Sequence, residues 1–215
     1  MLALGTLVGA ILLAERDKIP GRIAALFVLQ GGPYCGLEDV DPWTGTTPER
    51  DARLYAGPLP VVAHPPCAAW GRYARPTVTS TARGPLVGDD GGCFAAALAA
   101  VRRWGGVIEH PKDSKAWAWF GIGRPTGRWQ RLIDGGWTCE VEQGHYGHLA
   151  RKPTWLYYYS PMGKPPLPLV WGPSEVEPRP WSPRRGVLEC LSHRQRSLTP
   201  PVFRDALIVL AQNSR

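Results

Sequence analysis

VVAHPPCAAWG, residues 61–71, joins an apolar β-branched pair to two consecutive prolines and a cysteine. Val61 and Val62 read as the end of a buried strand, which Pro65 terminates. Proline fixes its own φ and restricts the residue before it, so Pro65-Pro66 hold the chain stiffly ahead of Cys67. The thiol is thereby positioned just beyond a strand, where open α/β sheets carry their chemistry.

The flanking sequence completes a repeating unit. CFAAALAAVRRWG (93–105) is alanine-rich with apolar residues at helical spacing, and Gly105-Gly106 stop it. GVIEHP (106–111) is a further short apolar strand ended by proline. Strand, helix and strand between Val61 and Glu109 predict a parallel crossover. Upstream, RIAALFVLQ (22–30) reads as another buried strand closing on Gly31-Gly32-Pro33. Downstream come a short helix in SKAWAWFG, strands in WTCEVEQGHYG and PTWLYYYS, and a closing helix in TPPVFRDALIVLAQNS. Residues 34–58 read as loops with room for one short element, and 75–92 as a loop. The expectation is an α/β fold, with a mostly parallel sheet and flanking helices, rich in loops.

The 25 glycines and 23 prolines among 215 residues agree with many turns. A net charge of +7 favours a polyanionic partner, with nucleic acid first, and the ten tryptophans offer flat faces for stacking bases. Five cysteines, at 35, 67, 93, 139 and 190, form an odd set without CxxC spacing, which fits a reducing cytoplasm better than a disulfide framework. The N-terminal apolar run in MLALGTLVGAILLAERDK is too short to span a bilayer and lacks a basic leader, so no membrane partner is expected and residues 1–19 read as a helix.

Three stretches carry candidate chemistry. Cys67 becomes a nucleophile if a neighbour stabilises its thiolate, although a buried structural cysteine is the commoner case. His64 precedes it closely. Glu109-His110-Pro111 repeats the pattern of strand, polar pair and proline. A carboxylate there can move a proton, hydrogen-bond a base ring, or simply cap the next helix. EQGHYGHLARKPTWLYYY (142–159) brings His145, His148, Arg151, Lys152 and a group of aromatics. Zinc held among His64, Cys67, Cys93, His110, His145 and His148 is a further possibility, but Gly144 and Gly147 argue against a helical histidine pair.

In order and spacing these stretches resemble the DNA cytosine-C5 methyltransferase family, closest to its short, divergent phage-type members. Pro65-Pro66-Cys67 corresponds to the family's nucleophile loop, Glu109-His110-Pro111 to its Glu-Asn strand end, and Tyr146-Gly147 with Arg151-Lys152 to the segment leading to its arginines. RSLTPPVFRDALIVLAQ is similar to the closing helix. The resemblance spans roughly residues 50–215 and implies a Rossmann-like, methyltransferase-type domain. By this resemblance Cys67 attacks C6 of a flipped pyrimidine, Glu109 meets N3, and Arg151 or Lys152 supplies a cation. His64, Pro66, Trp70, Arg72, His110, Tyr146, His148 and Trp155 would line the base or DNA. S-adenosylmethionine would sit beside Gly31, Gly32, Asp39 and Asp41, though too few residues separate Gly31 from Pro65 for the family's usual cofactor half.

The chain is thus read as one domain over 1–215, with a compressed cofactor side (1–60), a catalytic part (61–160), a proline-rich connection (161–190) and a C-terminal helix (191–215). Two other functions stay open. One is a non-catalytic DNA-binding protein on a degenerate methyltransferase scaffold. The other is a metal-dependent nucleic-acid enzyme.

Overall fold

The computed structural model describes residues 21–79, 84–176, 191, 192, 195 and 197–215. The helix expected over 1–19, Cys190 and the end of the proline-rich stretch lie outside the described residues.

Seven strands form one sheet: β1 (Ile23–Leu26), β2 (Val40–Trp43), β3 (Val61–Ala63), β4 (Gly106–Pro111), β5 (Gln130–Arg131), β6 (Trp137–Glu142) and β7 (Pro153–Tyr159). Their order is β2-β1-β3-β4-β7-β6-β5. The first four run parallel, with Ala24 opposite Val61 and Val61 opposite Gly106. β7 then pairs antiparallel with β4, and β6 and β5 continue antiparallel. The expected parallel sheet therefore covers only one half. A physical reason lies in the connection of residues 143–152, which is short enough to join neighbouring antiparallel strands but shorter than parallel crossovers need.

The α-helices that lie wholly among the described residues are α1 (Cys93–Trp104), α2 (Lys115–Trp119) and α3 (Pro201–Asn213). Strand residues alternate between two cores, as the pleat demands. Ile23, Ala25, Val62, Val107, Leu156 and Tyr158 face α3, where they meet Phe203, Leu207 and Leu210. Ala24, Leu26, Val61, Ala63, Ile108 and Tyr157 face α1, where they meet Phe94, Ala97 and Val101. The sheet is the middle of three layers, so its strands read as continuous apolar runs. Phe203, Leu207 and Leu210 are at most 1% exposed, and each contributes roughly 1.5–3 kcal/mol by burial.

Two local features set β3 beside β4 and anchor the loop that carries Cys67. A Cβ on Gly106, whose φ is +126°, would stand 1.9 Å from the Val61 carbonyl oxygen, so only glycine lets the strands begin side by side. At the start of α1, Asp90 accepts from the backbone N–H groups of Gly92 (2.9 Å) and Phe94 (2.8 Å) and from Trp70 Nε1 (2.8 Å). One carboxylate thus caps the crossover helix and anchors the loop that carries Cys67.

β2 falls within the stretch read as loop. It contains Pro42, which cannot donate to a ladder, and it is tolerated because β2 is the edge of the sheet. Among the described residues no helix is long and apolar enough to cross a membrane.

Candidate functional site

β1, β2, β3 and β4 all end on the same edge of the sheet. β2 lies on one side of β1 and β3 on the other, so chain order reverses between β1 and β3. A crevice opens at such a reversal in α/β sheets. His64 and Cys67 follow β3 onto this edge, and Glu109 and His110 lie in the last part of β4.

Glu109 is 9% exposed and held on both oxygens. His64 Nδ1 lies 2.9 Å from Oε2, and Gln143 Nε2 donates to Oε1 at 3.0 Å. His64 Nε2 in turn lies 2.8 Å from the hydroxyl of buried Tyr34. Burial alone would push the Glu109 carboxyl up. The hydrogen bond and charge of His64 outweigh it, helped by Lys152 and His110, and leave the carboxyl at about 2. Glu109 is therefore a carboxylate at any physiological pH. Burial raises Tyr34 well above the usual phenol range, and the Glu109 charge adds to this, so Tyr34 keeps its proton.

Lys152 supplies the cation of this site. Its Nζ donates to the Leu198 carbonyl at 2.7 Å, and its charge is felt by both Glu109 and Cys67. Burial lowers its pKa against the opposing pull of Glu109 and Cys67. Its φ is +44°, a conformation few non-glycine residues adopt, and such strain gathers at functional sites. Arg151 goes elsewhere: its Nε donates to the Val176 carbonyl at 3.0 Å. Of the two cations expected, Lys152 is the one whose charge reaches Glu109 and Cys67.

Cys67 is exposed and free. Burial of its sulfur raises the thiol pKa, the Glu109 charge raises it further, and its own backbone N–H and Lys152 only partly oppose them. The resting residue is a thiol. Beside it a cavity of about 50 Å³ is lined by Cys67, Trp70, His110, Lys112 and Ser114. Ser114 also borders a larger cleft of about 320 Å³, formed with Lys115, Trp117, Arg124 and Trp155. Pro66 and Arg72 are exposed around Cys67, and the Arg72 guanidinium stacks 5.0 Å from the Tyr73 ring.

Several expected ligand-binding residues prove to be structural. Tyr146 is 1% exposed, packs on Phe203 and accepts from Val170 N at 3.1 Å, so it cannot meet DNA. Trp70 is 1% exposed against Phe94 and Phe120; it anchors the Cys67 loop and offers no stacking face. Trp155 is 4% exposed, with its Nε1 bonded to Glu140 and its ring covered by the Arg124 guanidinium 5.6 Å away. His148 is 5% exposed and accepts from Ala150 N, closing its own turn. His110 lies on the α1 face, opposite Glu109, between Phe94 and Trp117, with Nδ1 2.7 Å from Ser114 Oγ. Burial lowers it to about 4, despite Glu109 and the nearby carbonyls of Pro65 and Pro66, so it is neutral at pH 7.

For S-adenosylmethionine the expected residues do not fit. Asp39 precedes β2, and its carbonyl accepts from Ile23 N at the opposite edge of the sheet. Asp41 is taken by Arg50 (2.6 Å) and Trp43 Nε1 (3.0 Å). Gly31-Gly32 form a turn closed on itself through Gly32 N and the Leu29 carbonyl. Among the described residues, no group of three or more His, Cys, Asp or Glu is placed to hold a metal ion.

Sequence reading missed Tyr34 and Gln143, which flank the His64–Glu109 pair. Neither carries a motif; each is brought in by the sheet order. Comparison with protein-family models, curated proteins and solved structures gives no match.

Proposed function

We propose that the protein is a methyltransferase-like transferase that modifies a pyrimidine ring at C5, in DNA or as a nucleotide, through Cys67. The observation that carries this reading is the joint placement of a free exposed thiol, an ionised carboxylate and an ammonium group, with Lys152 acting on both Cys67 and Glu109. The reversal of chain order between β1 and β3 supports a reduced Rossmann-like, methyltransferase-type scaffold. The +7 charge supports a nucleic-acid partner.

The chemistry follows from these groups. The Cys67 proton leaves to water, and the thiolate forms an S–C6 bond. The ring electrons move toward C5, and the Lys152 ammonium stabilises the charge that builds on a ring oxygen. C5 then takes an electrophile, H5 leaves as a proton, and the S–C6 bond breaks. No step is assigned to a particular donor. Without one, a solvent deuteron can add at C5 before H5 leaves, so the first half of the reaction is visible as H5 exchange.

The test is mass spectrometry of pyrimidine oligonucleotides incubated with the protein in D2O. Exchange at C5 that disappears in Cys67→Ser supports the enzyme. Tight, salt-sensitive DNA binding without exchange supports the non-catalytic DNA-binding reading instead.

A further inference from the structure

Most polar side-chain groups in the wall of the cavity beside Cys67 are already engaged. Trp70 Nε1 donates to Asp90 at 2.8 Å, and Lys112 Nζ donates to Glu140 at 2.6 Å. Ser114 Oγ accepts from Ala116 N at 3.2 Å and lies 2.7 Å from His110 Nδ1. Two groups are left over. One is the Cys67 thiol, which is free and exposed. The other is His110 Nε2, which has no hydrogen-bond partner among the described residues although His110 is only 1% exposed. Phe94, Trp117 and the contact with Ser114 hold the ring in place. A buried nitrogen left unbonded is costly, and a bound water is the usual way such a group is satisfied. A cavity of about 50 Å³ has room for at least one water, and the Pro65 and Pro66 carbonyls near the same ring offer it further partners. The fit holds whichever nitrogen of His110 carries the proton, because water both donates and accepts.

The departure of H5 is the step that needs a proton acceptor. Once Cys67 Sγ is bonded to C6, the sulfur covers one face of the ring at the carbon next to C5. An electrophile therefore reaches C5 from the other face, and H5 is pushed to the sulfur's side. The cavity lies on that side, because Cys67 forms part of its wall. We infer, resting on the C5-modifying function proposed above, that a water held by His110 Nε2 in this cavity takes H5. The C5–H bond breaks, its electron pair restores the C5–C6 double bond, the S–C6 bond opens, and the sulfur leaves as thiolate. The proton passes from the water to bulk solvent. His110 acts through the water as a positioning residue, with one nitrogen bound to Ser114 and the other fixing the water.

The experiment compares wild type, His110→Asn and His110→Gln by C5 hydrogen exchange in D2O at pH 7, with pyrimidine oligonucleotides and free mononucleotides. Both variants lose the same ring. The Asn amide falls near the place of Nδ1, whereas the longer Gln amide reaches the place of Nε2 and can hold the water. The expected result is exchange slowed about a hundredfold by His110→Asn, and within about tenfold of wild type in His110→Gln. Alkylation of Cys67 by iodoacetamide, followed by mass spectrometry on the same samples, should stay within about threefold throughout, because it reads the thiol and involves no ring proton. Should both variants fail to fold, Ser114→Ala takes their place; it frees the ring at Nδ1 without deleting it and should slow exchange about tenfold at unchanged alkylation. Exchange unaffected by the substitutions, His110→Gln no better than His110→Asn, or alkylation falling in step with exchange overturns the inference and leaves the C5-modifying function intact. No Cys67-dependent exchange by the wild type overturns that function and the inference with it.

Discussion

His64 Nδ1 lies 2.9 Å from Glu109 Oε2, tying the residue that follows β3 to one within the neighbouring strand β4. The contact joins the segment before Cys67 to a carboxylate whose charge raises the Cys67 thiol. It is also the largest of the influences that hold Glu109 ionised against burial.

Removing that partner should move the acid limit of stability. In the wild type Glu109 sits at about 2, below its ordinary 4.5, so its contribution is complete above 4.5 and is lost as pH falls toward 2. In His64→Ala the burial effect is less opposed and the Glu109 pKa climbs. The variant should lose about 3–5 kcal/mol at neutral pH, the range for breaking a buried pair, and unfold at a higher pH on acidification. Urea midpoints measured from pH 7 down to pH 3 check this; parallel profiles for the two proteins would refute it.

His110 adds a second, independent pH effect of the same sign. Its folded value of about 4 lies below the ordinary 6.5, so the unfolded chain binds the proton first. Stability should fall by about 3 kcal/mol between pH 6.5 and 4 on this account. His110→Asn should flatten that part of the profile while losing the packing on Phe94 and Trp117. A variant curve as steep as the wild type across that interval would show that His110 is not responsible.

Asp90 links helix α1 to the loop that carries Cys67. Asp90→Ala removes the cap and leaves Trp70 Nε1 buried without its acceptor, which should cost about 2–4 kcal/mol. The loss should reach activity too, because Trp70 fixes the turn after Cys67. Thermal melting and C5 exchange, measured on the same samples below the melting temperature, separate the two effects. Normal exchange by folded Asp90→Ala would show that the loop is held by other contacts.

Arg72 is exposed beside Cys67 and stacked on Tyr73. If DNA crosses this surface, Arg72→Ala should weaken binding similarly for all sequences and reduce the slope of log K against log salt by about 1. Fluorescence anisotropy at several salt concentrations gives that slope, and an unchanged value would place the DNA elsewhere.

Much of the parallel half of the fold was legible in the sequence. Val61–Ala63, Cys93–Trp104 and Gly106–Pro111 fall where apolar runs, alanine content and proline stops put them. These signals are local, arising within a few residues of chain. The direction of β7 against β4 is not local, because PTWLYYYS reads alike in either orientation. Edge strand β2 was hidden by Pro42, which only its place at the sheet margin allows. Tyr146, Trp70 and His148 look like binding residues by type, yet their burial depends on what α1, α3 and the turns bring over them.

By itself, the sequence determined that a stiffened cysteine and a glutamate stand at the ends of two strands joined by one helix. Proline geometry and strand periodicity act over such short distances that no distant contact is needed. Only the tertiary structure decided what surrounds that glutamate. It brings Tyr34 and Gln143 in from distant parts of the chain, and it sets the Lys152 charge near Glu109 while Arg151 bonds the Val176 carbonyl. The charge and hydrogen-bonding sense of Glu109 come from those neighbours, because a buried carboxylate takes its character from the donors packed around it.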